Sequence, residues 1–329
     1  MVANLQPTIY DLRPRIIFWG TMDVAVPTLE ALLKNGYKVV AVVSTPDQPA
    51  GRKQILTPTP VKAFAQKHKI PVFQPENLKD ENFKKELPEA DLYVLVAYGK
   101  IIPKSILERP RLGILNGHPS LLPRWRGPSP IQSTILNGDT EAGVTIFLTD
   151  ELMDHGPILL QRKLQITNDK LQKMTNPELH KMLAELRVEL FMEVIPKWLK
   201  DEITPIPQDD AKTTYCKILK KDDGRIDWKK PAEHIERMVR AFNPWPGTWT
   251  LWPSDQKIYR IRIEEASVVD ETHPHGSPGY IWQSESHPFL VKTGHNSISV
   301  TKLTLAGKKT LAAETFLRGY PQIIGTTLV

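Results

Sequence analysis

A change of hydrophobic period part-way along the chain is the feature that most constrains its fold. Early on, short apolar runs rich in β-branched residues alternate with helical stretches; later, strand-sized runs follow one another with only turns between them. "RIIFWG", "YKVVAVVST", "DLYVLVAYG", "LGILN" and "VTIFLTD" read as strands buried on both faces. Between them lie "VPTLEALLKNG", which closes with Gly36 in the C′ position, and "TPVKAFAQKH". Such alternation predicts an α/β domain, a Rossmann-like open parallel sheet with crossover helices. From Asn176 a long helix carries Leu179, Met182, Leu183, Leu186, Leu190, Val194 and Trp198 on one face. Packing against the sheet is enough to explain that stripe.

The stretch "KDEITPIPQDDAKTT" is polar and interrupted by proline, which reads as a linker. Beyond it comes one helix, "PAEHIERMVRAFN", and then "GTWTLW", "IYRIRIEEASVV", "GYIWQ", "PFLVKTG" and "SISVTKLTL". Short strands separated by turn signals predict a small antiparallel, OB-like β-barrel. The length of 329 residues exceeds what one core usually organises. The expected division is a first domain over 1–199, a linker over 200–214 and a second domain over 215–329.

No apolar run approaches the roughly 20 residues of a membrane span, so no membrane partner is expected. The start, "MVANLQPTIYDLRPR", has neither the apolar core of a secretion signal nor the acid-free helix of an import signal. A lone Cys216 rules out an intramolecular disulfide framework and points to a reducing compartment, so a cytoplasmic location of bacterial type is expected. The net charge is +6, and residues 211–329 hold most of it, with 17 Lys and Arg against 12 Asp and Glu. Alone this is a weak sign of a polyanionic partner, because charged surfaces are usually just solvated.

Chemistry concentrates in "NGHPSLLPRWRGPSP", Asn116 to Pro130, directly after the apolar "LGIL". Four prolines and two glycines in fifteen residues favour a loop of fixed, irregular shape. Residues two apart on a strand share a face, so Asn116 and His118 should project together from the strand end, where open α/β sheets bind ligands. An amide donor that polarises a carbonyl oxygen, beside an imidazole that handles protons, suits acyl transfer. Spacing alone equally allows His118 to cap the strand and Asn116 to bond a turn. An acid could come from "TDELMDHG", where Asp150, Glu151 and Asp154 precede Gly156, although Asp before Gly is commonly a turn residue. "FWGTMD" lacks the glycine spacing of a dinucleotide loop, and no Cys/His cluster has zinc spacing, so no metal is expected.

"NGHPSLLPRWRGPSPIQ" followed by "GVTIFLTDELMDHGPIL" resembles the formyltransferase family that uses 10-formyltetrahydrofolate. "FWGTMDVAVPTLEALL", "TPDQPAGRKQILTPTPVK", "VVAYGKIIPKSIL", "GRIDW", "RAFNPWPG", "AGKKTL" and "FLRGYPQ" extend the resemblance, in the family's order, over nearly the whole chain. It implies that Asn116, His118 and Asp154 are the catalytic set and that Ser120, Leu121, Leu122 and Pro123 line the folate site. It further implies 10-formyltetrahydrofolate as co-substrate with no tightly bound cofactor, initiator methionyl-tRNA as acceptor, a monomer, and a C-terminal domain that binds tRNA. The loop "STPDQPAGRKQ" resembles an insertion that grips the tRNA acceptor stem, with Arg52 and Lys53 as its contacts. Amino-sugar nucleotide formyltransferases look similar over the catalytic motifs, and a non-catalytic RNA-binding relative is a further alternative. The chain departs from the family at Met22, at Gly117, where a β-branched residue is common, and at Met153. The Gly117 departure is expected to loosen the strand end, and all three bear on tightness of packing.

Overall fold

The computed structural model describes residues 13–51, 54–254 and 257–329. The described residues fall into two units, one from Met1–Gly127, Gly143–Leu164 and Lys181–Tyr215, the other from Pro128–Ala142, Gln165–His180 and Cys216–Val329. The second unit therefore draws two segments from within the first 199 residues, and no single cut in the sequence separates the two. Residues 200–214 group with the first unit.

The first unit contains β1 (Arg15–Gly20), β2 (Lys38–Val43), β3 (Gln48–Ala50), β4 (Ile55–Thr57), β5 (Val72–Phe73), β6 (Leu92–Val96), β7 (Ile114–His118), β8 (Gly143–Leu148) and β9 (Ile158–Lys163). Among the described residues seven of these form one sheet in the order β5-β2-β1-β6-β7-β8-β9, while β3 and β4 form a separate hairpin. The strands from β5 to β7 run parallel, as the β-branched runs predict. β8, read from sequence as one more strand of the parallel series, instead runs antiparallel to β7, and β9 antiparallel to β8. Between them the helix at Pro130–Leu136 groups with the second unit.

Among the described residues the α-helices are α1 (Val26–Lys34), α2 (Pro60–Lys67), α3 (Glu81–Glu86), α4 (Lys104–Leu107), α5 (Pro130–Leu136), α6 (Asn168–Leu171), α7 (Asn176–Leu199), α8 (Ala232–Phe242) and α9 (Ala313–Gly319). α1 starts with Pro27 in its first turn and stops where Gly36, at φ +73°, donates its amide to Leu33 O. Thr59 caps α2 by accepting the Lys62 amide, a contact worth about 1 kcal/mol. Ile16, Ile17, Phe18 and Trp19 of β1 are fully buried, as a strand covered on both faces requires. Each such side chain contributes roughly 1.5–3 kcal/mol on leaving water. α7 buries Leu179, Leu183, Leu186, Leu190 and Val194 of its predicted stripe. Trp198, at its end, donates its indole N–H to Leu112 O, just before β7.

In the second unit β10 (Thr248–Ser254), β11 (Lys257–Val269), β12 (Ile281–Trp282), β13 (Leu290–Lys292), β14 (Ser297–Leu305) and β15 (Thr310–Ala312) form an antiparallel sheet in the order β10-β11-β14-β13-β12, with β15 also on β14. The last residues of the chain close it. Leu251 of β10 exchanges two 2.9 Å backbone hydrogen bonds with Val329, and Ile281 of β12 pairs with Gly325 and Thr326. The same tail thus meets both edge strands, at Leu251 and at Ile281. Ala232, Ile235 and Val239 of α8 enter its core beside Trp252, Ile261 and Ile298. Within this unit α5 packs against α8, and Arg240 of α8 bonds Met174 O.

Candidate active site

β7 ends the parallel part of the sheet, and its residues Asn116, Gly117 and His118 alternate across it. Gly117 faces α7. An added Cβ there would lie 2.6 Å from Arg187 Cδ, 2.7 Å from Phe191 Cε2 and 2.9 Å from Arg187 Cγ. Arg187 and Phe191 are both buried, and the Arg187 guanidinium donates to Val24 O in the turn between β1 and α1. The loosened packing expected of Gly117 is thus not found: the aliphatic stem of Arg187 takes the space that a side chain at 117 would fill. Met22 and Met153 are 55% and 50% exposed, so neither departure touches the core.

With Gly117 turned to α7, Asn116 and His118 project from the other face. The half-buried Asn116 side chain makes no hydrogen bond to another described residue. His118 is buried and held on both ring nitrogens. Nε2 donates to the Trp125 carbonyl at 2.9 Å, and Nδ1 stands 3.7 Å from Asp154 Oδ2, an ion-pair rather than a hydrogen-bond distance. That second oxygen of Asp154 also accepts the Gly127 amide at 2.8 Å. Asp154 itself takes a left-handed backbone, φ +49°, which turns its carboxylate toward β7.

The other acids of this loop point elsewhere. Asp150 accepts His155 Nδ1 at 2.6 Å and the Leu152 amide at 3.0 Å, the geometry of a turn aspartate, while Glu151 reaches toward Lys104 at the surface. Of the three carboxylates offered by the sequence, Asp154 is the one beside His118.

The segment after His118 is fastened to β8 and β9. Thr145 Oγ1, fully buried on β8, donates to Ser120 O at 2.7 Å and accepts the Leu122 amide at 3.1 Å. Gln161 Nε2 on β9 donates to Leu122 O and to Thr145 Oγ1, each at 2.8 Å. Ser120 is buried with its hydroxyl on Arg124 O, and the Leu122 side chain is buried too, whereas Leu121 and Pro123 stay half-buried. Ser120 and Leu122 therefore shape the loop, and Leu121 and Pro123 are the members left with surface to offer a ligand. Leu121 packs close to Gly143, the first residue of β8, where any side chain would collide with it. Arg52 and Lys53 lie outside the described residues.

Sequence reasoning missed several holders of this site. Trp125 O, Gly127 N and Thr145 carry no local signal, since their roles come from where a loop and a neighbouring strand meet. Gln208, whose Nε2 donates to Asp154 O and Gly156 O at 2.9 Å each, sits inside the stretch read as a linker. Among the described residues no His, Cys, Asp and Glu side chains converge as metal ligands, and no helix is long and apolar enough to cross a membrane.

Residues 14–195 match the family described as formyl transferase, and residues 218–321 match the formyl transferase C-terminal domain. The chain belongs to the formyl transferase family. This formyl transferase is 41% identical over 307 residues to a methionyl-tRNA formyltransferase of Chloroflexus aurantiacus, covering 93% of this chain and 96% of the relative. Two crystal structures share its fold at low identity. HypX from Aquifex aeolicus, in complex with tetrahydrofolic acid, aligns with a TM-score of 0.63 at 16% identity, over 95% of this chain and 48% of HypX. An N-formyltransferase from Helicobacter canadensis, in complex with folinic acid and dTDP-3-aminofucose, aligns with a TM-score of 0.61 at 20% identity, over 87% of this chain and 98% of that one. At these identities the two structures speak to the fold of this formyl transferase alone.

Proposed function

We infer that the chain transfers the formyl group of 10-formyltetrahydrofolate to the α-amine of methionine on initiator methionyl-tRNA, which supports translation initiation. The observation that carries this reading is the 41% identity to a methionyl-tRNA formyltransferase over nearly the full length of both chains. The geometry of the site supplies the chemistry.

In the reaction the amine nitrogen attacks the formyl carbon, and the carbonyl oxygen gathers negative charge in a tetrahedral intermediate. The Asn116 amide donates to that oxygen, and the imidazolium form of His118 adds a positive charge beside it. Asp154 balances the charge of the ring and, together with Trp125 O, fixes its orientation. Collapse breaks the bond from the formyl carbon to N10; the amine loses one proton and N10 gains one. Leu121 and Pro123, on a loop pinned by Thr145 and Gln161, form a wall for the folate, and Ser120 and Leu122 keep that wall in shape. Arg52 and Lys53 guide the acceptor end of the tRNA. The basic C-terminal stretch, residues 211–329, holds the body of the tRNA through its phosphates. The protein works as a cytoplasmic monomer on diffusible substrates.

The test is a product assay. The protein is mixed with 10-formyltetrahydrofolate and methionyl initiator tRNA, an amino-sugar nucleotide, or buffer alone. Formyl-methionyl-tRNA is the expected product. Formylation of the sugar in its place, or no product with either acceptor, overturns the reading.

A further inference from the structure

Residues 206–214 lie across the first unit as a strap tied at three points. Ile206 exchanges backbone hydrogen bonds of 2.7 and 2.9 Å with Ile158 of β9. At the far end Thr214 accepts the Trp125 amide on its hydroxyl and the Arg126 amide on its carbonyl, both at 2.9 Å. Its own amide donates to Pro123 O at 3.3 Å. Between these anchors Gln208 gives its Nε2 hydrogens to the carbonyls of Asp154 and Gly156 and accepts Arg126 Nε at 3.0 Å on Oε1. The amide thus has both its donors and its acceptor engaged.

Building on the formyl-transfer reading above, we propose that Gln208 is a positioning residue for that reaction, acting by holding Asp154 in register with His118. Asp154 needs the hold. A non-glycine residue with φ +49° sits in the sparsely populated left-handed region, and the turn it starts leaves two carbonyls to be met. Gln208 meets both. The same side chain fixes Arg126, whose neighbours in sequence make the other contacts of the catalytic pair: Trp125 O accepts His118 Nε2, and Gly127 N donates to Asp154 Oδ2. One amide therefore joins the two loops that meet at the imidazole. Arg126 keeps Asp210 as a partner, at 2.9 Å, when Gln208 is replaced, so the buried guanidinium is not stranded.

A positioning role differs from a plain cross-link in acting through the Asp154 carboxylate. Gln208→Met removes the donors and the acceptor at similar size, and Gln208→Glu removes only the donors while keeping an oxygen for Arg126. In single-turnover formylation both variants should lose about 10- to 100-fold in rate, the scale of a misplaced catalytic group. Folate affinity should stay within about twofold and the melting temperature close to that of the parent protein. In the Asp154→Asn background, Gln208→Met should cost less than about threefold. The ¹⁵N resonances of the His118 ring in Gln208→Met should move toward their positions in Asp154→Asn, a readout that needs no acceptor. Unchanged rates in both variants, equal losses with and without the carboxylate, or His118 resonances left at their parent positions would each overturn the proposal. A parent protein that formylates no methionyl-tRNA faults the functional reading instead, and the resonance comparison still decides the role of Gln208.

Discussion

Gly117→Ala adds one carbon at the point where β7 meets α7, and two opposite effects compete there. Alanine in a strand is favoured over glycine by roughly 0.5–1 kcal/mol, because glycine loses more backbone entropy on folding. Against this, the new carbon would lie 2.6–2.9 Å from three atoms of Arg187 and Phe191. Neither neighbour can withdraw easily. Phe191 is fully buried, and Arg187, 2% exposed, is anchored on Val24 O. Overpacking of this kind costs about 1–3 kcal/mol, so the collision wins and the net effect is a destabilisation of about 1–2 kcal/mol. For a unit of this size that lowers the melting temperature by roughly 2–8 °C. Calorimetry on Gly117→Ala, Arg187→Ala and the double variant supplies the check. Removing the Arg187 stem deletes two of the three close contacts, so the double variant should be more stable than the sum of the single effects by about 1 kcal/mol or more. If Gly117→Ala melts at or above the parent temperature, or if the two effects simply add, then Arg187 is not what keeps position 117 free of a side chain.

Asn116→Ala removes the amide donor proposed for the formyl oxygen and should lower single-turnover formylation by about 10²–10³-fold with folate binding retained; near-normal rates would remove Asn116 from the mechanism. In the first turn of α7, Glu178 accepts the Thr175 amide and hydroxyl at 2.8 Å each, and the amide contact above all holds its carboxyl below the usual 4.5. A depressed carboxyl pKa gives stability that is full above the unfolded value and is lost as pH falls through the folded one. Glu178→Ala should therefore cost about 0.5–1 kcal/mol near neutrality, as loss of a cap does, and progressively less below about pH 4.5 in urea titrations at several pH values. Lys308 and Lys309, both exposed in the basic stretch 211–329, should each lower the salt slope of tRNA binding by about one when changed to Ala, while folate affinity stays flat with salt; filter binding across salt concentrations reads both.

Much of this protein was written locally. The β-branched runs announced buried parallel strands, Gly36 stopped α1 at the expected place, and the i, i+2 spacing of Asn116 and His118 put them on one face of β7. Such features survive in one dimension because periodicity and backbone preference act over a few residues. The direction of β8 was not legible in that way: "VTIFLTD" has the same apolar pattern whichever way it runs, and only its pairing with β7 shows it to be antiparallel. Nor could residue spacing, without the family resemblance, pick Asp154 from Asp150 and Glu151, since the difference is a left-handed backbone and a neighbour 27 residues away, the Gly127 amide.

What the sequence determined by itself was the strand end from which Asn116 and His118 project, the two kinds of sheet, and the family to which the chain belongs. What the tertiary structure decided was how those side chains are held. Thr145 and Gln161 fix the loop after His118, Gln208 reaches from an apparently featureless stretch to the turn of Asp154, and Arg187 fills the space left by Gly117. Each of these contacts joins residues far apart in sequence, and their strength depends on distances of a few ångströms that only the packed chain defines. Hydrophobic period and turn chemistry are local properties; a buried hydrogen bond between distant residues exists only once the whole core has placed both of its ends.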